Sequence, residues 1–221
     1  EAITYSFVDS RVQRQLFPGR PVLALSNPLS AEMAEMRLSL WPGLIGVLQA
    51  NLNRQQDRVR VFEVGTCFAV DRGELFESQA IAGLITGSAL PEQWGADKRS
   101  ADFFDLKSDV EALFALTGRS AAIGFVAESQ DCLHPGRSAA IQCAGETVGW
   151  IGQLHPELAR DLDLREVPWL FELGIDASFR SEVPVFSDIS KFPAIRRDLA
   201  VLLDEAVTLD ELRKSVNLAA K

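Results

Sequence analysis

Between Val59 and Ile175 the chain alternates strand-like runs with single helical stretches, and this alternation restricts the fold more than any other feature. Val59 to Phe68 is dense in β-branched and aromatic residues, with Gly65 inside it, and Ile81 to Thr86 reads as a second strand. Leu106, Val110, Leu113 and Phe114 then share one helical face, with Asp105 as the expected cap and Gly118 as the stop. Ala139–Cys143 and Thr147–Leu154 flank Gly145-Glu146 as a hairpin, Pro156 opens a short helix to about Leu162, and Trp169 to Ile175 reads as a buried strand. Hairpins interleaved with single helices predict an α+β fold, an antiparallel sheet flanked by helices.

The ends of the chain add less regular signals. Ile3 to Val8 alternates like a short strand, and Asn27-Pro28 marks a turn. Leu40, Leu44, Leu48 and Leu52 recur at four-residue spacing, which predicts an amphipathic helix begun near Pro42 and ended in Arg54-Gln55-Gln56-Asp57. That stripe has two readings, burial in the chain's own core, which is preferred, or burial against a partner. Near Glu182-Val183-Pro184 the composition shifts; a strand is expected over Asp198–Leu203, and Thr208 to Glu211 forms a capping-box pattern ahead of a helix. One strand and one helix cannot bury a core, so a second domain is expected to begin near Ser187 and to be truncated. The start lacks a methionine and a signal-peptide pattern, which reads as an excised piece.

Composition narrows the function classes. No apolar run approaches the roughly 20 residues that span a bilayer. A net charge of −9 opposes broad binding to nucleic acid. Three cysteines (Cys67, Cys132, Cys143) at scattered spacings argue against a disulfide framework and for a reducing cytoplasm. Two histidines, His134 and His155, without CxxC or HxxxH spacing, argue against zinc; each precedes a proline, and a structural or capping role is preferred to acid–base work. Asp102/Asp105 and Asp161/Asp163 read as helix-end carboxylates before metal ligands, and Cys67 reads as a small core residue. Trp41, Trp150 and Trp169 read as core or interface aromatics, Trp94 as a loop residue.

Eight blocks carry a specific resemblance. They are Asn27-Pro28-Leu29-Ser30-Ala31-Glu32, Met36 to Leu44, Val61-Phe62-Glu63-Val64-Gly65, Asp102 to Lys107, Leu133 to Ala139, Ile151 to Pro156, Phe171-Glu172-Leu173 and Phe192 to Val201. Together and in this order, they resemble the bacterial β subunit of phenylalanyl-tRNA synthetase. The resemblance implies a class II synthetase-like antiparallel sheet for residues 1 to about 184. From about 187 it implies the first strand and helix of a ferredoxin-like anticodon-binding domain. It further implies a cytoplasmic enzyme, a heterotetramer of two catalytic α and two β chains, that joins phenylalanine to its tRNA with ATP and magnesium. The editing, tRNA-binding and magnesium-ligating segments would lie upstream of this chain, so no cofactor is expected here.

Against class II motifs the chain reads as inactive. Where Phe-Arg-x-Glu would supply a phosphate-binding arginine stand Phe68-Ala69-Val70-Asp71, with Ala69 at the arginine and Asp71 at the glutamate. Where Gly-x-Gly-x-x-Arg is expected stand Glu172-Leu173-Gly174-Ile175-Asp176-Ala177, so that Glu172 replaces a glycine, Gly174 is kept and Ala177 replaces the second arginine. Losing one donor to a developing charge costs about 3 to 4 kcal/mol. The expectation is a structural module that packs on the catalytic α subunit, with Leu40, Leu44, Leu48 and Leu52 as the candidate interface. A weak RNA contact through Lys191, Arg196 and Arg197 is the alternative, and a free-standing paralogue binding a small molecule in the old pocket is the third reading.

Overall fold

The computed structural model describes residues 1–96, 98–120, 122–179, 186, 193 and 195–219. The chain divides into two compact units, Glu1–Pro184 and Val185–Lys221.

In the first unit, β3 (Val59–Asp71), β4 (Glu74–Thr86), β5 (Ile123–Ala127), β6 (Leu133–Cys143), β7 (Glu146–Leu154) and β8 (Trp169–Gly174) build one antiparallel sheet in the order β3-β4-β8-β7-β6-β5. Ahead of them lie β1 (Phe7–Val8), α1 (Ser10–Leu16), β2 (Glu35–Met36) and α2 (Trp41–Asn53), with β1 and β2 pairing as a separate two-stranded sheet. The hairpin between β6 and β7 turns on Ala144 and Gly145, both at positive φ (53° and 86°), one residue earlier than Gly145-Glu146. A primed turn needs two left-handed residues in succession, and the pair that supplies them fixes the register.

Each face of the sheet has its own core. The first packs Leu40, the N-cap of α2, and Leu44 and Leu48 within it, with Leu16 of α1 and Ala159 of α4 (Pro156–Asp161), over Val59, Cys67, Ala82, Leu84 and Leu170. The second packs Leu106, Val110 and Phe114 of α3 (Phe103–Leu116) over Ile81, Ile85, Ile141, Ile151, Phe171 and Leu173. Period-two alternation on the strands sends neighbouring residues to opposite faces, so one strand serves both cores.

The cap of α3 is Asp102, which accepts from the Phe104 and Asp105 amides, while the Asp105 carboxylate returns to the Asp102 amide. Asp105 is thus the third helical residue of a capping box rather than the cap itself, because the box satisfies orphan donors in both directions. α1 and β5 lie outside the elements predicted from sequence, and Ile3–Thr4-Tyr5-Ser6 forms no strand; only Phe7 and Val8 pair. Short α5 (Ile175–Ser178) follows β8 directly.

The second unit contains α6 (Leu209–Ala219), opened by the reciprocal Thr208–Glu211 bonds that the sequence predicts. Asp198–Leu203 is exposed and outside any ladder, whereas a strand is expected there. A strand exists only through a neighbour's hydrogen bonds, and the described residues of this unit offer none.

Candidate functional site

The positions matched to the class II motifs lie on β3, β8 and α5. On β3 the odd-numbered residues Val59, Glu63 and Cys67 point into the α2-side core, which places Ala69 and Asp71 on the same face further along the strand. In the sheet register Glu63 pairs with Ala82, Ala82 with Glu172, and Glu172 with Trp150, so Glu63 and Glu172 share one row, two strands apart. Both side chains therefore face the α2 side from backbone positions roughly 10 Å apart.

Both are claimed by the chain's own segment 37–41. The Glu172 carboxylate accepts from Ser39 Oγ (2.8 Å) and from the Leu40 amide (2.7 Å) at the start of α2. A carboxylate at a helix N-terminus meets unsatisfied N–H groups and the positive end of the dipole. Burial nevertheless dominates and pushes the Glu172 carboxyl up to about 7, against the lowering effects of the Leu40 amide, the Ser39 hydroxyl and the Arg37 charge. Trp41 closes the corner by donating from Nε1 to the Phe171 carbonyl (3.0 Å).

Glu63 is held by a buried cation. Arg37 Nη1 lies 2.7 Å from Glu63 Oε1, with both side chains almost fully enclosed (4% and 3% exposed). Arg37 also donates from Nε to the Thr66 carbonyl and from Nη1 to Thr4 Oγ1, while Thr4 donates its hydroxyl and amide to Glu63. Gly65 makes the approach possible, since a Cβ there would stand 2.2 Å from Arg37 Nη2. Burying a charge this deeply is tolerated only when it is paired and hydrogen-bonded throughout, as here. The same segments protect the open edge of β3: Ala2 donates to the Phe62 carbonyl, and the Phe68 amide donates to the Arg37 carbonyl.

Arg37, Glu63, Thr4 and Ser39 escape a motif search because none occupies a motif position. A signal existed, however: Glu63 falls in the same alternating phase as Val59, Val61 and Cys67, two residues before a glycine. A carboxylate in that phase requires a buried partner.

The remaining candidates are placed as follows. Leu40, Leu44 and Leu48 are fully buried in the chain's own core and leave no surface for a partner, while Leu52 is half-buried against the same cluster. Gly174 is the residue before α5 and pairs with Ala80; Ala177 is exposed on α5. Asp71 and Ala69 are exposed near the turn between β3 and β4, Ala69 opposite Phe76 and Asp71 opposite Glu74. Arg196 and Arg197 are exposed, and Lys191 lies outside the described residues. His134 Nδ1 accepts from the Gly136 amide, and His155 Nδ1 accepts from the Glu157 amide as the cap of α4. Cys67 and Cys132 are buried, and burial pushes each thiol up to about 12, with the Glu172 charge adding to the effect. Among the described residues no group of three or more His, Cys, Asp or Glu is arranged to hold a metal, and no helix is long and apolar enough to cross a membrane. An apolar cavity of about 260 Å3 does exist, but between β3, β4 and α3, lined by Phe62, Ile81, Ile85, Leu106 and Leu113, on the opposite side of the sheet from Glu172.

Residues 1–175 match the family model for the phenylalanyl tRNA synthetase beta chain CLM domain. The chain belongs to the phenylalanyl-tRNA synthetase β-chain family. It is 51% identical over 205 residues to the phenylalanine–tRNA ligase beta subunit of Nitrosococcus oceani, covering 92% of this chain and 26% of that protein. It is 50% identical to that of Dickeya dadantii (94% and 26% covered) and 43% identical to that of Coxiella burnetii (100% and 28%). The chain thus spans about a quarter of the length of these β subunits. Among solved structures, two of a pyrrolysyl-tRNA synthetase from Desulfitobacterium hafniense superpose with TM-scores of 0.55 and 0.60 at 13% and 14% identity, covering 79% of this chain and 59% and 60% of those. At that identity the likeness shows the fold alone, and it agrees with the expected antiparallel sheet flanked by helices in the first unit.

Proposed function

We propose that the first unit is a non-catalytic module of phenylalanine–tRNA ligase that packs against the catalytic α subunit and stabilises it. In this reading the whole enzyme, with two α and two β chains, joins phenylalanine to its tRNA using ATP and magnesium. The carrying observation is Glu172, which the motif alignment sets against a class II glycine: its carboxylate is taken up by Ser39 and the start of α2. At the two motif positions where activation chemistry needs phosphate-binding arginines the chain carries Ala69 and Ala177, and Glu172 adds a carboxylate to the same set of motif positions. The second unit is read as the beginning of the anticodon-binding domain, supported by the capped helix α6.

The test is twofold. Phenylalanine-dependent pyrophosphate exchange by this chain should be undetectable, and activity would refute the inactive site. Co-sedimentation with the α subunit of the same organism should give a heavier mixed species, and two independent boundaries at micromolar concentrations would count against the scaffold.

A further inference from the structure

Helix α3 covers β4, β7 and β8 through Leu106, Val110 and Phe114, whereas no described residue of the edge strand β3 joins that core. On the α3 side of β3, Phe62 stays 44% exposed, and the apolar cavity of about 260 Å3 lies in the gap beside it. In the sheet register Phe62 pairs with Gly83 and Gly83 with Phe171, so the floor is a row of two rings around a residue without a side chain. A side chain at 83 would crowd that floor, since a Cβ there would stand 2.3 Å from Phe171 Cε1. Leu106 and Leu113 form the wall on the helix side.

Charge at this cavity is confined to one pair. Among the described lining residues only Arg60 and Asp109 are charged, and they form an ion pair with side chains 41% and 35% exposed. Among the described residues each has only the other as a polar partner. A guanidinium carries several N–H donors and a carboxylate several lone pairs, so one bond between them leaves most of both available. An apolar slot with two such groups at its rim fits a ligand that has an apolar body and adjacent charges of both signs. A fatty acid would satisfy Arg60 but set a second carboxylate beside Asp109, and an alkyl or aryl amine would set a second cation beside Arg60. A peptide terminus likewise brings one charge alone. We propose that the cavity binds a free α-amino acid with a bulky apolar side chain. Its carboxylate lies on Arg60, its ammonium on Asp109 and its side chain in the slot over Gly83. Nothing in this site depends on packing against the α subunit.

The experiment titrates this chain with L-leucine and with L-phenylalanine and follows backbone amide shifts by heteronuclear NMR. Saturable shifts are expected at residues 60–62, 81–85 and 106–113, half complete below about 1 mM. No saturation with either probe by about 10 mM, or saturable shifts confined to other residues, overturns the proposal. The amide of each amino acid lacks the carboxylate and the N-acetyl derivative lacks the ammonium, so each should bind at least tenfold more weakly than its parent. Equal binding of all three overturns the assignment of head groups and the proposal with it. R60M should weaken the amino acid at least tenfold and leave its amide no weaker. D109N should weaken the amino acid as much and leave its N-acetyl derivative no weaker. A merely structural role of the pair would not produce this matched loss, and unchanged affinity in both variants overturns the proposal. Urea midpoints show that each variant is folded, and the ligand series on the unaltered chain decides the matter without them.

Discussion

Glu172→Gln isolates the energetic consequence of placing a carboxylate under α2. The folded carboxyl is raised to about 7 from an ordinary 4.5, chiefly by burial. The folded state therefore holds a proton that the unfolded chain has released, and stability falls as pH rises from about 4.5 through about 7. Each pH unit of difference corresponds to about 1.4 kcal/mol, so the carboxylate costs the folded state about 3 kcal/mol once fully ionised above pH 8. Glutamine resembles the protonated form and can still accept from the Leu40 amide and the Ser39 hydroxyl. The variant should match the parent near pH 4.5 and exceed it by about 2 to 3 kcal/mol at pH 8.5, where a urea slope of about 2 kcal/mol/M gives a midpoint shift of about 1 M. The assay is urea unfolding at both pH values followed by tryptophan fluorescence, to which Trp41 beside the carboxylate contributes. If Glu172→Gln were less stable at pH 8.5, attraction to Arg37 and the helix start would outweigh desolvation, and the reasoning would fail.

Arg37→Met should destabilise by about 3 to 5 kcal/mol by stranding the buried Glu63 charge, and adding Glu63→Leu should recover much of that loss, read by thermal unfolding. Gly65→Ala drives a Cβ into the guanidinium and should cost about 2 kcal/mol or more, whereas the same change in an Arg37→Met background should be nearly neutral, a coupling that a double-mutant cycle measures. Cys67 and Cys132, with thiols raised to about 12, should resist maleimide at pH 8 until urea unfolds the chain. Labelling of the native protein at the rate of a free thiol would contradict their enclosure.

The sheet was legible because its signals are local. Val59–Phe68, Trp169–Ile175 and the glycine turn after Cys143 each carry their own periodicity or turn chemistry, and the leucine stripe of α2 reports its buried face directly. The extension of β4 back to Glu74 was not legible, because Glu74 to Gln79 lacks a buried face and is extended only by its pairing with β3. α1 was missed for a related reason: a seven-residue helix begun by Asp9 has too little periodicity to register. At the candidate site the losses at Ala69, Glu172 and Ala177 could be read residue by residue. What fills the site could not, since Ser39 meets Glu172 across 133 positions, a distance that local pattern does not see.

The order of strands has a consequence for how the molecule is made. β8 is the last strand of the sheet in the chain and sits third in its row, between β4 and β7. Until Gly174 has been synthesised, β3–β4 and β5–β6–β7 are two separate pieces with no common neighbour, each presenting an unpaired edge at the place where β8 belongs. The pairing of Ala80 with Gly174 closes a long loop late, which favours slow folding and a window for wrong strand pairing. A ribosome stalled before β8, or a truncation there, would release a chain with most of its strands and no sheet to unite them, a natural target for chaperones and proteases.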